Sequence, residues 1–119
     1  MLKVSFLNKL NNEKEEVTIL DDYYFNDGLI EYVQDQAITK IVYDYQEVRI
    51  TRREQATSEI ILSLNHDTQC IIKSSYGDII MDVQTISIKK DKNLLEIEYQ
   101  LVHNNVAIVH NRILFVNEI

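Results

Sequence analysis

The chain has 119 residues, 45% hydrophobic and 26% charged, which is the balance of one globular domain spanning residues 1–119. Its formal net charge of −7 argues against a nucleic-acid partner, because binding a phosphate backbone needs clustered Lys and Arg. No apolar run approaches the ~20 residues of a membrane helix, and the N-terminal residues lack the features of a signal peptide. We therefore predict a cytoplasmic protein with no membrane partner.

Cysteine and histidine usage limits the chemistry that is available. Cys70 is the single cysteine, which excludes an internal disulfide and a cysteine-rich zinc site, and the apolar run 70–72 predicts a buried thiol. The three histidines, His66, His103 and His110, do not stand at the spacing of metal ligands. Neither a metal nor a cofactor is expected.

The first half of the chain predicts short strands separated by turns. Leu2, Val4 and Phe6 alternate with polar residues in a first strand that ends near residues 11–12. Residues 26–28, Asn-Asp-Gly, are the strongest turn signal, because these residue types tolerate positive φ. The other strands predicted here are 15–20, 29–34, 38–43 and one that contains Val48, Ile50 and Arg52.

The second half contains the clearest hairpin. Residues 77–88 and 95–101 both alternate apolar with polar positions, apart from an extra apolar residue at Ile80, and a polar turn at 91–93 separates them. A period of two on both arms is typical of antiparallel strands with one buried face. Further strands are predicted around 60–64, 70–74 and 106–116, the last after a turn at 103–105.

About ten short strands joined by short connections predict an all-β antiparallel meander. An open meander would leave two edges exposed, and closure into a barrel removes them. A sandwich of two sheets is the alternative solution. No segment shows convincing helical periodicity.

Several blocks of residues follow an order that resembles a known family. The blocks are 30–34, 39–41, 48–52, 72–77 with alternating apolar residues after it, and 98–101, so that they cover nearly the whole chain. Together they are similar to a small uncharacterised bacterial family, DUF1934, also called YwiB-like. The resemblance implies a calycin-like β-barrel of about eight to ten strands, similar to lipocalins and fatty-acid-binding proteins, and it implies no established activity.

The chain departs from that family at one block and at two single positions, Gln34, where a Glu is usual, and Glu54, where a Gly often follows the Arg block. Ile72, Ser74 and Ser75 stand where the family has the Tyr, Thr and Pro of a Tyr-x-Thr-Pro-x-Gly pattern that ends at Gly77. The resemblance therefore carries no ligand contact over to these positions.

Arg52 is the first candidate for ligand binding because it shares a strand face with Val48 and Ile50. If that face is the barrel interior, the guanidinium must meet a carboxylate, backbone carbonyls or an anionic ligand. The alternative places Arg52 at the strand end, in solvent or paired with a glutamate.

Tyr99 is the second candidate, because it is in phase with the apolar residues Leu95, Ile97 and Leu101. A buried tyrosine hydroxyl needs a hydrogen-bond partner, either within the core or on a ligand. Tyr76, in the turn before the central hairpin, is a further candidate.

The last strand is apolar on both faces, with Val109, Ile113 and Phe115 on one and Ile108 among several on the other. One face meets a second subunit, or a bulge shifts the phase partway. Arg112, on the face of Ile108, is the fourth candidate for ligand binding. Arg112 and His110, which share this face, lie either in the interior or on the surface.

These candidates support a non-enzymatic barrel that binds a small apolar or amphipathic ligand in its interior, through Arg52, Tyr99, Tyr76 and Arg112. The alternative is a protein-interaction module that acts as a homodimer or with another cytosolic protein. Glu96 and Glu98 share a strand face, but this spacing predicts a solvated surface. An enzyme is the least favoured class, since no nucleophile motif or phosphate-binding loop is present and no catalytic residue stands out.

Overall fold

The computed structural model describes residues 1–10 and 15–119. Within these residues the chain forms β-strands, and no helix there is long and apolar enough to cross a membrane. The predicted end of the first strand near residues 11–12 lies outside the described residues. The strands are β1 Leu2–Asn8, β2 Glu15–Leu20, β3 Tyr23–Asn26, β4 Leu29–Gln34, β5 Ala37–Tyr43, β6 Glu47–Arg53, β7 Thr57–Ser63, β8 Thr68–Ser74, β9 Gly77–Asp91, β10 Leu94–His103 and β11 Val106–Asn117.

All of these strands belong to one 11-stranded antiparallel sheet. Every strand pairs with a neighbour in sequence, and β1 also pairs with β11, from Leu2 opposite Asn117 to Asn8 opposite Asn111. This long-range pair curls the meander into a nearly closed calycin-like barrel, which confirms the predicted fold class. β2 and β3 remain as the end strands and are joined through Asp21 and Asp22.

The strand that the sequence did not predict is β3. Its four residues, Tyr23–Asn26, are too few to show a clear alternation, so the sequence predicts only the turn at 26–28 that follows. Its first residue nevertheless connects it across the barrel, because the Tyr23 hydroxyl donates a hydrogen bond to Asn117 Oδ1 at 2.6 Å. This side-chain hydrogen bond links β3, at one end of the strand order, to β11.

Among the described residues, Asn and Asp supply three of the four positive-φ turn positions that are not glycine, and Gln36 is the fourth. Asn104 and Asn105 have φ of 52° and 63°, and Asp35 and Gln36 have 52° and 69°. Two consecutive residues with positive φ are typical of the tight two-residue hairpin loop whose twist matches the strands. Gln36 is uncommon at such a position, whereas Gly28, with φ of 97°, adopts it without steric cost.

A row of apolar side chains crosses the wall formed by β4 to β9. Directly opposed residues on successive strands share one face of a sheet. Because Ile30, Ile41 and Cys70 are buried, that face is the inward one. Cys70 is part of it, and burial raises the pKa of its thiol, as expected for an inert core cysteine. The row is Ile30, Ile41, Ile50, Ile60, Cys70 and Met81.

The facing wall, β10–β11–β1, contributes two parallel apolar rows. Ile97 lies opposite Ile113, which lies opposite Phe6, and the next row is Leu95, Phe115 and Val4. Leu95 and Ile97 are fully buried. The core therefore sits between the two walls, inside the barrel.

Two bulges adjust the phase of the long strands. Glu98 opposes Ser87 while Tyr99 opposes Thr85, so Ile86 is an extra residue on β9. On β11, Ala107 and Val109 oppose consecutive residues of β10, so Ile108 is the extra residue there. A bulge of this kind lets inward positions be separated by an odd number of residues. The predicted possibility of a bulge in the last strand is confirmed.

At one end of the barrel, Lys90 contacts a carboxylate and two aromatic rings. Its ammonium donates to Asp27 Oδ1 at 2.7 Å and lies 4.3 Å from the ring centre of Tyr45 and 5.9 Å from that of Tyr43. Tyr43 ends β5, whereas Ala37 begins it at the other end of the barrel. The candidate site lies at the Ala37 end.

Candidate functional site

A cavity of about 450 Å³ enters the barrel at the end where β5 begins. Exposed Asp35, in the β4–β5 turn, and Arg52, at the end of β6, belong to its rim. Its volume falls within the range of small-molecule pockets. The other lining residues are Val4, Phe6, Glu16, Thr18, Tyr32, Gln34, Ala37, Thr39, Ile50, Ser58, Ile60, Tyr99, Ile113 and Phe115.

The register of the sheet sets a row of polar side chains into this cavity. Tyr32 lies opposite Thr39, Thr39 opposite Arg52, and Arg52 opposite Ser58. The row runs parallel to the apolar row of Ile30 to Met81, one inward position closer to the rim. A polar rim above an apolar floor suits an amphipathic molecule.

The position of Arg52 combines the two interpretations made from the sequence, an inward side chain and a place at the strand end. It lies on the inward face of β6 and lines the cavity, but it is also near the strand end, with 55% of its side chain exposed. Its Nη2 is 3.8 Å from Glu54 Oε2, and Glu54 is similarly exposed. An exposed pair at this distance contributes little, so an anion can compete for the guanidinium.

Tyr32 stands beside Arg52 in the polar row. Burial raises the pKa of its phenol, while Thr39 and the positive charge of Arg52 act in the opposite direction. The phenol is therefore protonated at neutral pH and offers a neutral hydrogen-bonding group next to the cation.

The rim also carries negative charge. Glu16 and Asp35 line the cavity together with Arg52, so one guanidinium is accompanied by two carboxylates. Repulsion from these carboxylates opposes a second negative charge on anything bound there. The rim therefore disfavours phosphates and other polyanions, and Arg52 is the lining residue that can pair with a single negative charge.

Tyr99 lines the inner wall of the same cavity and is 3% exposed. Its hydroxyl accepts a hydrogen bond from Asn111 Nδ2 at 3.3 Å, so the partner that the sequence left open is Asn111. Burial raises the pKa of Tyr99, which keeps the phenol neutral. Asn111 was missed in the sequence, although its inward phase with Val109 and Ile113 was available as a signal.

The two other predicted candidates lie outside the cavity. Tyr76 is in the β8–β9 turn and 99% exposed, because no strand faces it there. Arg112 points to the outer face of β11, since its neighbours Asn111 and Ile113 occupy the inward positions. The structure thus brings Arg52 and Tyr99 together and separates them from Tyr76 and Arg112.

Arg112 belongs instead to an outer cluster of Lys9, Glu98, His110 and Arg112. Glu98 accepts from His110 Nε2 at 2.8 Å, from Arg112 Nε at 3.3 Å and from Lys9 Nζ at 3.4 Å. The hydrogen bond from His110 is the main cause that lowers the pKa of Glu98, and Arg112 and Lys9 add to it.

The prediction of a solvated glutamate face is wrong for Glu98, which is only 13% exposed. The partners of its carboxylate come from β11 and from the residue that follows β1, and local sequence spacing could not show them. The outer cluster joins β1, β10 and β11. In the described part of the chain, no group of three or more His, Cys, Asp or Glu residues is arranged to hold a metal ion.

The fold and site define a small β-barrel with a partly polar interior cavity. A family model described as a domain of unknown function (DUF1934) matches residues 8–114. This chain belongs to that family, as its sequence blocks predicted.

A solved structure supports the same architecture. The crystal structure of the ywiB protein from Bacillus subtilis superposes with a TM-score of 0.65, covering 99% of this chain and 90% of that one, at 16% sequence identity. At this identity the likeness concerns the fold alone. No curated protein matches the chain.

Proposed function

We propose that this protein is a cytoplasmic, non-enzymatic binder of a small amphipathic monoanion. The acidic group of the ligand pairs with Arg52 at the rim, and its apolar part lies against Ile50, Ile60 and Phe115 in the cavity. A planar guanidinium recognises a carboxylate through two parallel hydrogen bonds.

The observation that carries this proposal is the shared cavity of Arg52 and Tyr99, with a polar row at the rim and apolar rows further in. Neither histidine nor cysteine lines the described part of this cavity. Its lining combines one guanidinium and two phenols with apolar side chains, which supports the binding of an amphipathic ligand.

Calorimetric titration with decanoate, a medium-chain monocarboxylate, tests the proposal. We expect Arg52→Gln to weaken binding about tenfold, because a hydrogen bond to a charged group contributes about 1.5–3 kcal/mol and the exposure of Arg52 favours the lower value. Arg49→Gln is the matched control, since Arg49 lies on the same strand, faces outward and carries the same charge.

Wild-type protein that does not bind decanoate would refute the proposal, and so would equal losses in the Arg52 and Arg49 variants. Native mass spectrometry of freshly purified protein, before and after organic extraction, adds an independent readout. A co-purified small molecule that extraction removes supports the proposal and gives its chemical class directly.

A second candidate function is self-association through the outer side of the last strand. Ile108, the bulge residue of β11, is 48% exposed. Sedimentation at increasing concentration tests it. Ile108→Glu should dissociate a dimer while Ile38→Glu, at a half-exposed position on β5, should leave it intact. A wild-type protein that stays monomeric excludes this candidate.

A further inference from the structure

A second polar row crosses the inner face of the barrel, on the wall opposite Arg52. Thr85 lies opposite Tyr99, Tyr99 opposite Asn111, and Asn111 opposite Asn8. This row adjoins the apolar row of Ile97, Ile113 and Phe6. Hydrogen-bonding groups therefore reach the cavity region from two separate walls.

The end members of this row are engaged with the backbone. Thr85 Oγ1 accepts from the Ser63 amide at 3.0 Å, and Asn8 Oδ1 accepts from the Leu10 amide at 3.1 Å. Each side chain has a structural partner close by. Among the described residues, the side chains of the two central members, Tyr99 and Asn111, have no backbone partner and hydrogen-bond only to each other.

Tyr99 and Asn111 form a dyad with unused hydrogen-bonding capacity. Asn111 is 7% exposed, and its Oδ1 is buried with no partner among the described residues. Asn111 Nδ2 donates to the Tyr99 oxygen, so the Tyr99 hydroxyl still has its proton to donate, and the described residues provide no other partner for it. If the Asn111 amide is flipped, its Oδ1 accepts from the Tyr99 hydroxyl instead. The buried Nδ2 group is then the one without a partner among the described residues.

Buried polar groups without partners are rare in folded proteins, because they lose the hydrogen bonds of water without replacement. Here Tyr99 lines the cavity, and Asn111 lies directly behind it, where its amide contacts the Tyr99 hydroxyl. A group that enters the cavity and both accepts from Tyr99 and donates to Asn111 would satisfy the dyad.

We infer that the ligand carries, at the end away from its anionic group, a neutral group that both donates and accepts hydrogen bonds, such as a hydroxyl or an amide, and that Tyr99 and Asn111 bind it. This inference rests on the proposed function and narrows it to a two-ended ligand. The inner group is neutral because Tyr99 and Asn111 are neutral and almost fully buried, which disfavours a charge.

Calorimetric comparison of ω-hydroxydecanoate with decanoate tests the inference on the unmodified protein. In an apolar cavity the added hydroxyl would weaken binding, because it gives up its hydration without return. With the dyad present, we expect ω-hydroxydecanoate to bind about fivefold more tightly, the effect of roughly one net hydrogen bond. The two cases thus differ in sign.

Variants assign the preference to the dyad. Tyr99→Phe should abolish or reverse the preference for ω-hydroxydecanoate over decanoate, because it removes the hydroxyl that meets the inner group of the ligand. Tyr32→Phe is the matched control, since it removes a phenol hydroxyl from the rim of the same cavity and should retain the preference.

The outcomes separate this inference from the proposed function. If decanoate binds and the hydroxyl gives no gain, the inference is wrong while the proposed function stands. If the preference persists in Tyr99→Phe, the dyad is not the receiving group. If neither acid binds, both proposals fail together.

Discussion

Strands β10 and β11 carry polar side chains on both faces, and the two faces differ in how completely those side chains are satisfied. On the outer face Glu98 receives donors from His110, Arg112 and Lys9. On the inner face, one residue further along each strand, Tyr99 and Asn111 have one hydrogen bond between them and a buried oxygen with no partner in the described part of the chain. The hydrogen-bonded cluster of the outer face stabilises the fold, whereas Tyr99 and Asn111 on the inner face can still form hydrogen bonds with another molecule.

Removal of the shared carboxylate should have the largest effect. Glu98→Ala leaves three donors facing a partly buried space, and we expect a loss of about 2–3 kcal/mol in the free energy of unfolding, below the range for fully buried pairs. Urea denaturation measures it. Glu96→Ala is the control and should cost less than about 0.5 kcal/mol, because among the described residues Glu96 pairs with Lys89 alone, at 3.9 Å, and the Lys89 side chain is 72% exposed. Equal losses would contradict the structural role of Glu98.

Acidification should reproduce part of this loss. The pKa of Glu98 is lowered from its ordinary 4.5, so at acidic pH the folded protein binds fewer protons than the unfolded chain. The stability contributed by Glu98 is present above pH 4.5 and is lost as pH falls through the lowered value. We expect the difference in unfolding free energy between wild type and Glu98→Gln to shrink between about pH 6 and pH 3. A difference independent of pH would show that the carboxylate charge is not what matters.

Alkaline titration examines the inner face. Because burial raises the pKa of Tyr99 above 10.0, the spectrum of wild type minus Tyr99→Phe should show tyrosinate appearing only above that pH. The folded state then holds a proton that the unfolded chain releases, so the contribution of Tyr99 is complete below pH 10.0 and declines as pH rises through the raised value. In urea, which unfolds the protein, the midpoint of this difference titration should return towards 10.0. A midpoint at or below 10.0 in the folded protein would contradict the burial of this phenol.

The smallest effect is expected where the inner dyad is replaced by apolar residues. Tyr99→Phe combined with Asn111→Leu removes both partners while roughly preserving shape, and such replacements are nearly neutral. We expect the free energy of unfolding to change by less than about 1 kcal/mol. A loss above about 2 kcal/mol would mean that the inner dyad is as structural as the outer cluster, and the contrast between the faces would disappear.

Local patterns predicted most of the fold. The alternation in β9 and β10 is long enough to mark both the hairpin and its buried face, and residues 26–28 and 104–105 mark turns by their chemistry. β3 was missed because four residues cannot establish a period. Ile86 and Ile108 look like ordinary strand residues, and only the register of the neighbouring strands identifies them as bulges.

The site was predictable only in part, because it depends on register between distant strands. The phases of Arg52 and Tyr99 could be read locally, and both residues reach the cavity. That Tyr99 meets Asn111, or that Glu98 meets Lys9, follows from pairings that bring together residues 12 and 89 positions apart. A single sequence contains no local trace of the latter.

The pairing of β1 with β11 also has a consequence for the time course of folding. The β1–β2 hairpin forms from adjacent residues, but the other edge of β1 has its partner more than a hundred residues later, at Val106–Asn117. Contacts of such high sequence separation slow folding, because the intervening chain must be ordered before they form. During synthesis that edge waits unpaired until the last strand has left the ribosome. The barrel closes last at β1, and a nascent chain halted before β11 would be the species most prone to aggregate.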